Sequence, residues 1–360
     1  MALAHFVLVP LLAQGHMIPM IDMARILAER GVIITLVSTP HNASRFDQTI
    51  TRAVKSGLPI QLLQIPFPFQ KVGLPLGCDN LDTLPSRNLL RNFYIALDMM
   101  QEPLEQYLQN HPSPPSCIIS DKCLSWTSTT AKKFNIPRLV FHGMSCFSLL
   151  SSFNIMLHNS HLSCSSDSQP FLIPGLPQRV EITKAQLPGA FFSLPDLNDF
   201  RHKMWEAEIS SSGVVVNSFE ELEQGCAEEY EKALNKRVWC IGPVSLSNKN
   251  SLDKFERGNK PSIEEKQCLE WLNSMEPRSI GVRIGVEVPV RFGDEEKAGV
   301  LVKKIKIVEA IEMCTVGGEE GEKRRNRAIE LGKMARSAIL EEGSSHFNIS
   351  CLIEDITMKH

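Results

Sequence analysis

None of the ten cysteines stands in a C-x-x-C pair. Their spacing between Cys78 and Cys351 matches neither a zinc site nor a disulfide framework, which predicts reduced thiols in a cytoplasmic protein. Basic residues are not in excess: 38 Lys and Arg against 41 Asp and Glu leave a formal net charge of −3. That balance argues against a nucleic-acid partner. No stretch reaches the roughly 18 apolar residues that a membrane span requires, so no membrane span is expected and the chain should be soluble. The apolar start, Met1-Ala-Leu-Ala-His-Phe-Val-Leu-Val-Pro-Leu-Leu-Ala13, has no basic residues before it and is interrupted by His5 and Pro10. It reads as a buried parallel strand rather than a signal peptide. Also missing are G-x-G-x-x-G, a Walker loop, G-x-S-x-G, H-E-x-x-H and any His/Cys cluster at metal-ligand spacing, so no metal site is read. Gly317-Gly-Glu-Glu-Gly321 does not follow a strand, as a phosphate cradle must.

With 360 residues, 43 % of them hydrophobic and 22 % charged, the chain has room for one large or two medium domains with real cores. Residues 5–12 read as a strand and Gln14-Gly15-His16 as a turn, after which Met20, Ala24 and Leu27 recur at helical spacing until Gly31 stops the helix. A second strand over 32–37 completes a βαβ unit. The pattern returns over 117–120, 124–134 and 138–141, and again over 213–217, 220–234 and 237–241. Such alternation predicts a parallel, doubly wound sheet. Two long proline-rich loops, residues 66–85 and 170–195, fall on the carboxyl side of that sheet, where ligands bind in such folds. Composition leaves open whether they line an apolar pocket or merely connect.

Residues 245–262 are polar and read as an interdomain linker. A short helix over 264–272 follows, and Glu276-Pro-Arg-Ser-Ile280 ought to lead into the first strand of a second sheet. Instead come two charged amphipathic helices, near 303–313 and 323–340, with Leu331, Met334 and Ala338 on one face of the second. Gly343 closes the second helix, and residues 347–356 end the chain. The mixed charges there read as a solvated face.

Two polar residues are brought together by this topology. His16 follows the first strand, and Asp121 follows the strand 117–120, so both lie at the carboxyl edge of the sheet. A histidine oriented by a buried aspartate is a general base at neutral pH: the carboxylate fixes the tautomer and stabilises the imidazolium that forms. The alternative is that His16 and Asp121 simply cap the helices they precede.

Five runs carry a further signal: His5-Phe-Val-Leu-Val-Pro10 with Ala13-Gln-Gly-His-Met-Ile-Pro-Met20, Cys117-Ile-Ile-Ser-Asp121, Val216-Asn-Ser-Phe-Glu-Glu-Leu222, Trp239-Cys-Ile-Gly-Pro-Val244 and Cys268-Leu-Glu-Trp-Leu272. Together they resemble plant UDP-sugar-dependent glycosyltransferases of small molecules. The likeness resumes in Gly285-Val-Glu-Val-Pro-Val-Arg291, Glu319-Glu-Gly-Glu322 and Gly343-Ser-Ser-His-Phe-Asn-Ile349. The resemblance implies an α/β fold of the GT-B type, with two facing Rossmann-like domains, the first for the acceptor and the second for the UDP-sugar. It implies UDP-sugar as co-substrate and no cofactor. It also implies an inverting transfer in which His16 removes the acceptor's hydroxyl proton and Asp121 supports it. Cys123, His142, Phe191 and Phe192 are the acceptor contacts it suggests.

One departure from that family stands out. Its members carry a donor box that begins Trp-Ala-Pro-Gln, passes through His-Cys-Gly-Trp-Asn-Ser and ends in an acidic residue followed by Gln. None of it occurs here, and Trp126, Trp205, Trp239 and Trp271, the only tryptophans, have other neighbours. No donor-binding residues are identifiable. The join between Ile280 and Gly281 reads as an internal deletion, as a skipped exon or a faulty gene model produces. The expected layout is therefore a complete Rossmann-like acceptor domain at 1–244, a linker at 245–262 and a truncated remnant of the UDP-sugar domain at 263–360.

Three functions fit. The chain is by family a transferase moving a sugar, glucose being expected, from a UDP-sugar to a hydroxyl of a flavonoid, terpenoid or hormone. Alternatively it is an inactive acceptor-binding product. A third reading is a partner that pairs with another chain through the face left uncovered by the missing domain.

Overall fold

The computed structural model describes residues 4–188, 191, 197–248, 302–315 and 319–358. It divides into two compact units, one of Met1–Leu149, Leu194–Lys260 and Ala338–His360, the other of Leu150–Ser193 and Pro261–Ser337.

The strands in chain order are β1 (His5–Val9), β2 (Ile33–Ser38), β3 (Ile60–Gln64), β4 (Cys117–Asp121), β5 (Arg138–His142), β6 (Pro170–Leu172), β7 (Glu181–Thr183), β8 (Gly213–Val216) and β9 (Val238–Cys240). Seven of them form the sheet of the first unit in the order β3-β2-β1-β4-β5-β8-β9, with every neighbouring pair parallel. All residues of β1, β4, β5, β8 and β9 are buried. The continuous hydrophobic runs thus become strands covered on both faces. The chain steps outward from β1 to β2 and β3, then returns to place β4 on the other side of β1. At such a reversal the carboxyl ends of the two central strands diverge and leave a crevice.

The helices up to residue 248 are α1 (Gln14–Glu29), α2 (Pro40–Ala43), α3 (Asp47–Lys55), α4 (Leu90–Asp98), α5 (Gln101–Asn110), α6 (Trp126–Phe134), α7 (Cys146–His158), α8 (Asn198–Ile209) and α9 (Cys226–Leu234). On α1, Met17, Met20, Ile21, Ala24, Leu27 and Ala28 are buried at helical spacing. Gly31, at φ 82°, ends it in the left-handed region, which a side chain would strain.

The structure differs from the sequence expectation at five places. Gln14-Gly15-His16 is not a turn but the start of α1. β3 was not expected; only its Ile60 is buried, and Gln61 and Gln64 break the apolar run of this edge strand. β6 and β7 form an antiparallel hairpin within the second proline-rich loop, over a small core of Ile155, Cys164, Phe171, Ile173 and Leu187 in the second unit. Residues 220–234 are not one helix: a 3₁₀ turn, Glu220–Leu222, precedes α9, and Gly225 at φ 79° turns the chain between them. Gly343 does not close a helix but stands at the start of the last one.

Beyond residue 301 the described residues form three helices, Lys304–Thr315, Glu319–Ala338 and Ser344–Thr357, and no strand. The expected helix at 264–272 and the join between Ile280 and Gly281 lie outside the described residues, as does most of the linker. The C-terminal helix, Ser344–Thr357, packs on β9 and sends Ile349, Leu352 and Ile356 into the main core. Trp239 Nε1 donates to Asp355 Oδ2 at 3.2 Å, and Arg30 Nη1 donates to the His346 carbonyl and Ser350 Oγ, both at 3.0 Å. The chain's last residues therefore complete the unit that its first residues begin. Among the described residues no helix is long and apolar enough to cross a membrane.

Candidate active site

His16 is the third residue of α1, and Asp121 is the last of β4. Strand pairing between Val9 and Ser120 sets the two strand ends side by side. His16 Nδ1 and Asp121 Oδ2 lie 2.6 Å apart, so the hydrogen bond expected from the topology is present. Neither residue caps a helix: α1 has no side-chain cap, and Asp121 Oδ1 accepts the Cys123 N–H at 2.9 Å, upstream of α6. Both carboxylate oxygens are thus occupied, which fixes the rotamer of Asp121.

The electrostatics follow from burial. Asp121 is 3 % exposed, and a buried carboxylate is tolerated only with hydrogen-bond or charge partners. Burial pushes its pKa up, but the His16 hydrogen bond and charge, the Cys123 N–H and the nearby His142 outweigh it and hold the acid below its usual range. For His16 burial pulls downward, while the hydrogen bond and charge of Asp121 leave the pKa raised above the ordinary 6.5. With Nδ1–H given to Asp121, the lone pair of Nε2 is free, and the side chain is 43 % exposed. The pair can take a proton from a group presented at the carboxyl edge.

Behind it lies a buried charged group. His142 Nε2 meets Glu208 Oε1 at 2.8 Å, and Lys122 Nζ meets Glu208 Oε2 at 2.8 Å. Burial opposes ionisation of Glu208, yet His142 and Lys122 bring its pKa down to about 2. Arg138 donates through Nε to Thr127 Oγ1 at 2.7 Å and through Nη1 to the Ala207 carbonyl at 2.9 Å.

A profile of the glycosyltransferase N-terminal domain matches residues 4–246. UDP-glycosyltransferase 73D1 of Arabidopsis thaliana is 42 % identical to this chain, over 98 % of it and 96 % of the relative. The chain belongs to the plant UDP-glycosyltransferases. UDP-glycosyltransferase 73C12 of Barbarea vulgaris is 36 % identical over the same shares. The crystal structure of UGT73P12 of Glycyrrhiza uralensis, complexed with glycyrrhetinic acid 3-O-monoglucuronide, superposes with a TM-score of 0.86 at 25 % identity, covering 99 % of this chain and 96 % of that one. The fold is accordingly α/β of the GT-B class. Plant UDP-glycosyltransferases are transferases that use a UDP-sugar as co-substrate. The alignment with the Arabidopsis relative runs over 488 positions, 128 more than the 360 residues here, so at least 128 positions hold no residue of this chain.

The other residues singled out in this UDP-glycosyltransferase chain are placed differently. Cys123 is half-buried beside the couple, and its thiol interacts with Asp121 and the Tyr94 hydroxyl; burial, then the charge of Asp121, pushes the thiol pKa well up. His142 ends β5 but is 4 % exposed with Nε2 engaged by Glu208, close enough to Asp121 to act on its charge. Phe191 belongs to the second unit, against the core around the β6–β7 hairpin and 5.4 Å from the His161 ring. Phe192 lies outside the described residues.

Sequence reasoning missed two residues near these edges. Tyr94 of α4 reaches Cys123, with nothing in its local sequence to single it out. His41 follows β2 as His16 follows β1, so the same topological argument could have selected it; its partner Asp79, in the first proline-rich loop, carried no such signal.

Proposed function

We propose that His16 is the general base of an inverting sugar transfer, that Asp121 orients it, and that a hydroxyl-bearing plant small molecule is the acceptor. The observation that carries this reading is the 2.6 Å contact of Nδ1 with a buried carboxylate at the carboxyl ends of β1 and β4, on a side chain 43 % exposed. Nε2 takes the hydroxyl proton as the oxygen attacks the anomeric carbon of the UDP-sugar, which we expect to be UDP-glucose. The bond from that carbon to the diphosphate oxygen breaks, UDP departs with the electron pair, and the anomeric configuration inverts. Asp121 stabilises the imidazolium that results. Flavonoids, terpenoids and hormones offer the hydroxyl this requires. A cytoplasmic location goes with this reading, supported by the free thiols of the described cysteines.

The second half of the proposal is that this chain retains the acceptor side alone. Support comes from the missing donor box and from the 128 or more alignment positions without a residue. A general base contributes about 10²–10⁴-fold, whereas holding two reactants in line contributes about 7–11 kcal/mol and requires a donor site. Calorimetric titration with UDP-glucose should therefore give no saturable heat, and incubation with flavonoid, terpenoid or hormone acceptors no transfer. A saturable heat at micromolar concentration would overturn this half. Restoring a family donor segment between Ile280 and Gly281 should yield transfer that His16→Ala abolishes; transfer that survives the substitution would remove the base assignment.

A further inference from the structure

We infer that His41, held by Asp79, is a second hydroxyl-binding group of the acceptor site, whose Nε2 accepts a hydrogen bond from a further hydroxyl of a polyhydroxylated acceptor. This rests on the reading of His16 and Asp121 as the acceptor site.

The geometry repeats that of the first couple. His41 Nδ1 and Asp79 Oδ1 are 2.9 Å apart, with the imidazole side chain 55 % exposed and the carboxylate 1 % exposed. Thr39 Oγ1 donates to the other oxygen, Oδ2, at 2.5 Å. Among the described residues no lysine or arginine pairs with Asp79, so His41 and Thr39 are what orient it. The donated Nδ1–H makes Nε2 the acceptor of this largely exposed side chain, the tautomer that binds a hydroxyl.

Other bonds also hold this loop. Asn42 Nδ2 already donates to the Asp79 carbonyl at 2.7 Å, and Leu81 N–H to the Leu12 carbonyl at 2.9 Å. The two imidazoles also share one scaffold. Buried Asn80 donates to Asn42 Oδ1 at 2.7 Å and touches Met17 Sδ at 3.5 Å, and Asn42 and Met17 are the chain neighbours of His41 and His16. Both bases stand at the carboxyl ends of adjacent strands, β2 and β1. An acceptor spanning that edge presents one hydroxyl to each.

The test compares binding of a monohydroxylated flavone with its dihydroxylated analogues to the full chain, by calorimetry or tryptophan fluorescence. One neutral hydrogen bond predicts that the best dihydroxylated analogue binds about 3–10-fold tighter. His41→Phe should bring that ratio to about one, and Asp79→Asn should lower it. His41→Phe leaves buried Asp79 one hydrogen bond short and should lower the unfolding temperature, so the affinity ratio is read well below it, and the ratio rather than either affinity alone decides. His16→Phe should weaken both ligands. A ratio that survives His41→Phe overturns the inference and leaves His16 in place. Indifference of both ligands to His16→Phe overturns the reading beneath it, and no binding to the unchanged chain overturns both.

Discussion

Replacing Leu352 by Ala tests whether the helix Ser344–Thr357 holds the sheet unit together. Leu352 is fully buried, on a stripe with Ile349 and Ile356 that enters the same core as Trp239 of β9. Leu→Ala at such a site removes the transfer energy of the lost carbons and leaves a cavity, about 2–5 kcal/mol in all. Domains are stable by about 5–15 kcal/mol, so the change removes a large share. A central value of about 3 kcal/mol lowers the unfolding temperature by about 6–12 °C in a unit of this size. Urea and thermal unfolding can be followed by tryptophan fluorescence, since Trp239 is 1 % exposed and bonded to Asp355 of the same helix. Phe347→Ala serves as the control: this side chain is 66 % exposed on the C-terminal helix and its loss should stay within about 0.5 kcal/mol. A loss below about 1 kcal/mol for Leu352→Ala, or one equal to the control, would refute the claim that residues 338–358 complete the sheet unit.

Three other perturbations probe the site and its frame. The raised His16 pKa means the extra stabilisation of the charged pair with Asp121 is complete below about pH 6.5 and is lost as pH rises through the folded value, neutral His16 keeping its Nδ1–H bond, while the lowered Asp121 pKa keeps the pair charged down past about pH 4. Asp121→Asn should therefore lose more stability at pH 5.5 than at pH 9, and imidazole NMR should show the His16 midpoint falling; equal losses at both pH values would contradict the assigned pair. Glu208→Ala breaks a buried pair with His142 and Lys122 and should cost about 3–5 kcal/mol in urea unfolding at pH 7. Because the Glu208 pKa is lowered to about 2, the wild-type advantage should disappear as pH falls from about 4.5 toward 2. Gly242→Ala would place a Cβ 2.7 Å from the Asn217 backbone carbon and 2.8 Å from Ser218 N, so it should destabilise by about 1–3 kcal/mol in the same assay.

The core of the sheet was legible because its strands are hydrophobic in a local pattern. β1, β2, β4, β5, β8 and β9 all fall where apolar runs stand between helical periods, and a run buried on both faces needs no knowledge of its neighbours to be read. That His16 and Asp121 share the carboxyl edge of the sheet also followed from alternation, whereas the pairing of β1 with β4 that joins them across 105 residues belongs to the tertiary structure. β3 escaped because an edge strand is half exposed and its pattern is broken by glutamines. Tertiary structure alone decided the rest. The sequence reads only as a closing segment over 347–356; that a helix forms there and lays Ile349, Leu352 and Ile356 in the main core against β9 depends on the path of the whole chain. His41 meets Asp79 because an irregular loop returns 38 residues later to the edge of β2, with Thr39 and Asn42 there to receive it. Periodicity is a property of neighbouring residues and can be read along a line, whereas such a pairing is set by loop path and mutual hydrogen bonding in three dimensions, which leave no period in the sequence.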